Sequence, residues 1–522
     1  MPRQKSIVLI HPPASVLSEA PAGIARLAGF LGEKGVDCRV IDLNIEAICD
    51  MVEGGFAAQV STVDDTWTRR AKFAAHINVA ALRSPRRYES LDRYKRAVMD
   101  VNRLLHMAGR EKGVHLSLSN YAEAQRMPVR SRDLADAAAD FESNLFFPFF
   151  GKKLSQAFSE ALPDIVGISV NFLGQALCAS AIAGYIRKRF PSVRIVFGGG
   201  LVTSWMKIPG VSTPLKGIAD DMVSGPGERP LAAMCGIAEN DRNGIPGFPY
   251  DYGCFDLDKY LSPGIVLPIS ASDGCYWRKC SFCPEKAEKK KYRHYPPIEM
   301  ARLPDGHAGN RKPALVHFVD NALSPRFMKY LIDNPPGIPW YGFARITRHL
   351  SDPEFTAGLA ASGCVLLKVG IESGDQGVLD AMGKGTRLEE ISGALKTLTS
   401  SGISVYGYLL FGTPGEDEKK ARKTMDFIVE HSEYIDFLNL AIFNLPAYCD
   451  AAADLETRPF YRGDLSLYRE FAHPLGWDRH RVRVFLEKSF KADPAIRKII
   501  NSDPPFFTSN HAPFFRMHPT RK

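Results

Sequence analysis

Gly274-Cys275-Tyr276-Trp277-Arg278-Lys279-Cys280-Ser281-Phe282-Cys283-Pro284 follows directly on the apolar run Ile265 to Ile269. Its Cys-x4-Cys-x2-Cys spacing allows three thiolates to wrap one inorganic centre. An iron–sulfur cube normally takes four protein sulfurs, so a loop that supplies three leaves one iron open to another ligand. Two other readings compete. Zinc would use Cys280 and Cys283 as a Cys-x2-Cys knuckle, but a closed zinc site needs a fourth Cys or His; His294 is the nearby candidate, and no second knuckle follows. A disulfide cannot pair all three thiols, and the remaining seven of the ten cysteines are scattered without a framework.

The chain of 522 residues, 45% hydrophobic and 24% charged, has the composition of a globular protein with two or three domains. A net charge of +8 is small per residue; it weakly favours anionic ligands and does not by itself call for nucleic acid. Lys289-Lys290-Lys291 reads as a solvated face. Ile7 to Ile10, stopped by Pro12-Pro13, is too short for a signal-peptide core, and no stretch approaches the ~20 apolar residues of a membrane span. A cytoplasmic, reducing location is expected, which an open iron–sulfur centre would also need.

Outward from the cysteines toward the N-terminus, Ser6 to Ile10, an amphipathic run from Gly23 to Lys34 and Cys38 to Leu43 read as strand, helix and strand, with Gly35 as a C-cap. From about 45 to 160 the pattern turns helical with no clear strand, the mark of an inserted helical subdomain. Alternation resumes at Asp164 to Val170, Ala176 to Arg189 and Val193 to Phe197, with a further short strand at Asp221 to Val223. These define a doubly wound, Rossmann-like parallel sheet over residues 1–245. Ligands of such sheets sit beyond the carboxyl ends of the strands, where Ser169, Asn171, Gly199 and Gly200 fall. No Gly-x-Gly-x-x-Gly follows the first strand, so a dinucleotide is not expected.

Residues 244–263, rich in Pro, Gly and Tyr, read as a linker. Beyond the cysteines, strands recur at Ala314–Val319, Trp340–Phe343, Val365–Gly370, Ser404–Phe411 and Phe437–Phe443. With the strand before the cysteines they make six βα units, an open, partial (β/α)6 barrel over residues 246–450, whose active groups belong at the strands' C-terminal ends. The cysteines, Asp320-Asn321, Arg345, Glu372-Ser373 and Gly412 to Glu416 all fall there. Residues 451–522 read as a small, mainly helical and aromatic cap, with helical runs at Leu465–Phe471 and Arg481–Phe490 and an aromatic stretch through Phe506-Phe507 and Asn510 to Phe515 that includes His511.

Gly274-Cys275…Cys280-Ser281-Phe282-Cys283, Gly370-Ile371-Glu372-Ser373 with Lys384-Gly385-Thr386, and Phe411 to Glu416 resemble the radical SAM superfamily. His11-Pro12-Pro13, Pro21 to Ile24, Ile41 to Asn44, Asp164 to Ser169 and Gly198-Gly199-Gly200 resemble the cobalamin-binding domain fused to one large branch of it. The resemblance covers about residues 1–50 and 160–445. It implies a [4Fe–4S] cluster on Cys275, Cys280 and Cys283, the catalytic and metal-ligating set, and S-adenosylmethionine (SAM) chelating the free iron. Reductive cleavage of SAM would then give a 5′-deoxyadenosyl radical that removes hydrogen from an unactivated carbon, with cobalamin supplying a methyl group. It further implies SAM contacts at Phe282, Glu372, Ser373, Arg345 and Gly412, corrin contacts at Ser169, Asn171, Gly199 and Gly200, and an electron donor such as flavodoxin or ferredoxin. The substrate would be a small molecule, lipid or peptide.

Two features depart from the family's patterns. The commonest superfamily spacing is Cys-x3-Cys-x2-Cys, one residue shorter than here. The Asp-x-His-x-x-Gly signature that gives cobalt a histidine is absent from the N-terminal half; Asp305-Gly306-His307-Ala308-Gly309 is a near miss read as a loop. Competing functions are a radical SAM cyclase or rearrangement enzyme without methyl transfer, a methylthiotransferase, and a non-enzymatic metal-binding interaction module. A methylthiotransferase would carry a second three-cysteine set in its N-terminal domain, and Cys38, Cys49, Cys178 and Cys235 are too dispersed to supply one.

Overall fold

The computed structural model describes residues 4–55, 65–211, 214–237, 250–289, 291–295, 312–449 and 455–505. Asp305 to Gly309, most of Gly244–Tyr250 and the aromatic stretch with Phe506, Phe507 and His511 lie outside them.

The apolar run that opens the chain becomes β1 (Ile7–His11), buried along its whole length, as befits a central strand of a parallel sheet. Helix α1 (Ala22–Glu33) turns its apolar residues Ile24, Ala28 and Leu31 inward and returns the chain to β2 (Cys38–Asp42). The sheet then continues on the other side of β1 with β3 (Ile165–Ser169), β4 (Arg194–Gly198) and β5 (Asp221–Met222). All pairings are parallel, in the order β2-β1-β3-β4-β5. The order reverses between β1 and β3, and a ligand crevice opens above that point at the strands' carboxyl ends. Helix α2 (Leu173–Arg189) follows β3, α3 (Gly200–Trp205) follows β4 and α4 (Glu228–Met234) follows β5.

The insert between β2 and β3 is largely helical, but it also carries a short antiparallel hairpin, Val114–Leu116 with Tyr121–Glu123, where no strand was expected. Each arm holds three residues, too short for period-two patterning to register. The insert's Phe141, Phe147 and Phe150 pack around Tyr185 of α2. It therefore covers the sheet from outside.

The second sheet has six parallel strands: β6 (Val266–Ile269), β7 (Leu315–Leu323), β8 (Trp340–Ala344), β9 (Cys364–Glu372), β10 (Ser404–Phe411) and β11 (Phe437–Ile442). They lie side by side in sequence order, with β6 and β11 as unjoined edges, so the barrel is open. Alternation sorts the side chains. Leu367, Val369, Ile371, Val405 and Leu409 join the main core under the helices, whereas Val266, Leu315, Tyr341, Leu366, Tyr406 and Phe437 form a separate cluster at the strands' beginnings, inside the barrel.

The C-terminal region departs from expectation at Leu465–Phe471. Tyr468–Phe471 is a strand, β14, in an antiparallel sheet with β12 (Leu445–Pro446) and β13 (Thr457–Pro459). The neighbouring strands offer this segment ladder hydrogen bonds, and tertiary pairing overrides a weak local preference. Helix α5 (Arg479–Phe485) does form and runs into one π-helical turn, Leu486–Phe490. Phe485 and Phe490 pack on Phe411 at the end of β10. No described helix is long and apolar enough to cross a membrane.

Candidate active site

The cysteine loop leaves β6 through Gly274, whose φ of +73° belongs to the left-handed region that glycine adopts without strain. Two anchors hold the loop on the segment after β9. The Ser281 amide donates to the Met382 carbonyl at 2.8 Å, and the Trp277 indole N–H donates to the Gly383 carbonyl at 3.1 Å. Gly385, at φ +61°, faces Trp277 so closely that a Cβ there would stand 2.4 Å from the ring. Asp320, which lies within β7 rather than beyond it because the strand runs on to Leu323, accepts from the Ala271 amide at 2.8 Å and the Ser272 hydroxyl at 2.5 Å, pinning the backbone just ahead of the loop; burial pushes its carboxyl up to about 6.

Cys275, Cys280 and Cys283 are all half-buried and lie within electrostatic reach of one another. Burial raises the Cys280 thiol, against the pull of the Lys384 and Arg345 cations, and pushes Cys283 up to about 11. Among the described residues no three His, Cys, Asp or Glu side chains are gathered tightly enough to hold a single metal ion.

Around the loop stand the other rim residues. Arg345 stacks on Trp277 at 3.9 Å and donates to the Gly385 carbonyl at 2.8 Å and the Thr386 hydroxyl at 3.1 Å; its other terminal nitrogen is buried without a partner. Glu372, at φ +61°, is paired with Lys384 at 2.6 Å. The Ser373 hydroxyl bonds to Thr424 and accepts the Asp375 amide, so its oxygen is taken up within the protein. Gly412, at φ +78°, donates its N–H to the buried Glu416, which also holds the Trp477 indole at 3.0 Å. Phe282 lines a cavity of about 300 Å³ with Met382, Thr413, Gly415 and Phe443.

Trp277, Lys384 and Gly385 thus build the loop's support; all three stand in stretches that the sequence singles out, but their contact is visible only in space. A second feature escaped the sequence altogether. One layer below Gly370, inside the barrel, Lys368 is 1% exposed. Its ammonium lies 3.4 Å from His317 Nε2, and His317 Nδ1 faces the Glu19 carboxylate at 2.9 Å. Tyr341 stacks on His317 at 4.3 Å. Glu19 belongs to the β1–α1 connection of the other domain, so no local pattern could have announced the trio.

Ser169, Asn171, Gly199 and Gly200 come together on the wall of a cavity of about 690 Å³ above the β1/β3 switch point. Asn171 stitches that edge, accepting from the Gly200 amide at 2.9 Å and donating to Ser169 at 3.2 Å. No insert residue and no histidine, cysteine or methionine is among the described residues that line it. The opposite wall is Asp273, Glu285, Glu288 and Lys289, the residues flanking the cysteine loop.

Residues 269–428, which carry the three cysteines and most of this open parallel βα sheet, match the model of the radical SAM superfamily. Among curated proteins the chain is 29% identical over 195 residues to bacteriochlorophyllide d C-12(1)-methyltransferase of Chlorobaculum tepidum, covering 36% of this chain and 41% of that protein. It is 23% identical over 311 residues to an uncharacterized methyltransferase of Pyrococcus horikoshii, covering 51% and 64%. The chain thus spans less than two thirds of either relative. Its fold is similar to the radical SAM methyltransferase TsrM from Kitasatospora setae, solved with tryptophan and a SAM analog (TM-score 0.57, 15% identity, 98% of this chain and 94% of that one). It is also similar to the cobalamin-dependent radical enzyme OxsB, solved with aqua-cobalamin and SAM (TM-score 0.53, 14% identity, 98% and 60%).

The residues present fit the groups these folds imply. Three thiols on one pinned loop, with Arg345 and Lys384 beside Cys280, suit a negatively charged cluster. Cβ atoms added at Gly23 or Gly225 on the larger cavity's wall would meet no atom within 4 Å, so bare backbone there is open to a broad, flat ligand such as a corrin.

Proposed function

We propose that this chain is a cobalamin-dependent radical SAM enzyme that methylates an unactivated carbon of a small molecule, lipid or peptide, drawing electrons from a donor such as flavodoxin or ferredoxin. The observation that carries the reading is the shared wall: the residues flanking Cys275–Cys283 close one side of the cavity whose other side is the glycine-lined edge of the Rossmann-like sheet. When bound, the cluster and SAM supply a carbon radical and cobalamin supplies a methyl group; the protein's part is orientation and exclusion of water. Cys275, Cys280 and Cys283 would hold the cluster, with Arg345 and Lys384 balancing its charge. The pocket at Phe282 would take the adenine, and the backbones of Glu372, Ser373 and Gly412 would line the rest of SAM. Ser169, Asn171, Gly199 and Gly200 would bear on the corrin, and no described side chain of the cavity offers an imidazole to cobalt.

The test is anaerobic reconstitution with iron, sulfide and hydroxocobalamin, followed by labelled SAM and a reductant. Both 5′-deoxyadenosine and S-adenosylhomocysteine should form, and corrin absorbance should stay with the protein after free cofactor is removed. Cys275→Ala, Cys280→Ala and Cys283→Ala should each abolish deoxyadenosine formation while retaining the corrin. Zinc in place of iron, or normal cleavage by any one of these variants, would refute the assignment; deoxyadenosine without S-adenosylhomocysteine would point to a cyclase or rearrangement enzyme.

A further inference from the structure

The C-terminal sheet and α5 line a third pocket, of about 310 Å³, against the ends of β10 and β11. Its walls are aromatic, with Phe460, Phe471 and Trp477, and four arginines, Arg458, Arg469, Arg479 and Arg483, stand among its polar groups beside Asn444, His473 and His480. Among the described lining residues the four arginines outnumber the carboxylates two to one. Of the two lining carboxylates, Glu470 is taken by Arg458 at 2.6 Å and Asp478 caps α5 through the Arg481 amide. Arg469 meets only the Thr457 hydroxyl, at 2.8 Å, and Arg479 the Asn444 side-chain carbonyl, at 2.7 Å, among the described residues. Arg479 lies over the Phe460 ring at 5.1 Å, its Nε is buried without a partner, and burial and the neighbouring Arg483 outweigh the support that Tyr461 and Glu470 give its charge. Guanidinium groups gathered against rings, with donors left over, are the arrangement that receives a carboxylate or phosphate in bidentate fashion.

The pocket is also fixed to the barrel rim. His473 accepts the Leu475 and Trp477 amides on Nδ1, which puts its proton on Nε2, and that proton goes to the Thr413 carbonyl at 2.9 Å. Gly412 and Phe443 line the pocket, and Phe443 also walls the cavity at Phe282. One aromatic ring therefore separates the arginines from the cavity assigned above to adenine.

We propose that this pocket holds the acidic end of the substrate, a carboxylate or phosphate borne on an aromatic body, and so selects the molecule presented at the rim. The proposal rests on the reading of the chain as a radical SAM methylating enzyme and adds the substrate's chemical class to it.

Titration calorimetry on the full chain with phenyl phosphate, benzoate and inorganic phosphate tests it. Both aromatic anions should bind more tightly than inorganic phosphate, and the tighter of the two identifies the acid. Arg479→Gln and Arg469→Gln should each weaken them roughly tenfold or more, the worth of one charge-assisted hydrogen bond, in variants whose melting shows them folded. Arg132→Gln, a change at an exposed arginine elsewhere, should leave binding as it is. Phe460→Leu should weaken the aromatic anions and spare inorganic phosphate. Equal affinity in wild type, R479Q and R469Q, or no binding of either aromatic anion at millimolar concentration, would overturn the proposal. Inorganic phosphate binding as tightly as phenyl phosphate would overturn the aromatic part of it. SAM cleavage by the wild type is scored separately, so failure of the cluster reading and failure of this pocket give different results.

Discussion

Lys368 illustrates what a single side chain conveys once its register is known. It sits in an apolar strand, Cys364–Glu372, at an inward position, and burial lowers its ammonium to about 8 despite the attraction of Glu19. An unfolded chain keeps that proton up to about 10.4, so between these two pH values the unfolded state binds more protons and stability rises with pH. Below pH 8 the full cost is present, about 3 kcal/mol from the size of the shift. Lys368→Met should therefore be more stable than wild type at pH 7 and lose that advantage by pH 10, read as the difference between urea unfolding curves of the two proteins. Parallel pH profiles would show the amine is not desolvated as described. The strand itself was legible from its apolar run; the lysine's role was not, because its partners His317 and Glu19 lie far away in sequence.

Among the elements, those with long periodic patterns were readable: all six barrel strands appear within a few residues of where the sequence places them. Among short elements the strand at Asp221–Met222 was placed, but two others were not. The hairpin at Val114–Glu123 and the strand Tyr468–Phe471 owe their form to pairing partners rather than to local pattern. The turn Gly383-Lys384-Gly385 is intermediate, since Lys384 and Gly385 stand in a pattern the sequence singles out while the turn's task is visible only in space: it forms the seat of the cysteine loop. Gly385→Ala would place a Cβ 2.4 Å from Trp277 at a φ of +61°, costing about 2 kcal/mol and tilting the loop. Gly337→Ala shares the positive φ, +68°, but meets no atom within 4 Å. Both variants should melt lower than wild type, while only G385A should take up less iron on reconstitution. Equal iron content in the two would mean the turn does not position the loop.

At the scale of the molecule, the two sheets are joined by buried charge. Arg26 of α1 pairs with Glu228 of α4 at 2.6 Å and reaches Asp273, one residue before Gly274, at 3.6 Å, while stacking over Tyr295 at 4.5 Å. Just past the cysteines, Glu288 takes the Ser204 hydroxyl at 3.0 Å and the Tyr448 hydroxyl at 3.2 Å. Both ties flank the cysteine loop, so a displacement of the Rossmann-like sheet would be felt there first. Removing one partner of a buried pair strands the other, at about 3–5 kcal/mol; because Arg26 serves both domains, its loss should also weaken their coupling. Arg26→Met should lower the main unfolding transition in calorimetry and split it in two where the wild type shows one, and it should weaken hydroxocobalamin binding, since Arg26 and Glu228 line that cavity. The double variant R26M/E228Q, with no stranded carboxylate, should regain much of the stability but not the single transition. A single, unshifted transition in R26M would mean that Arg26 does not couple the two domains.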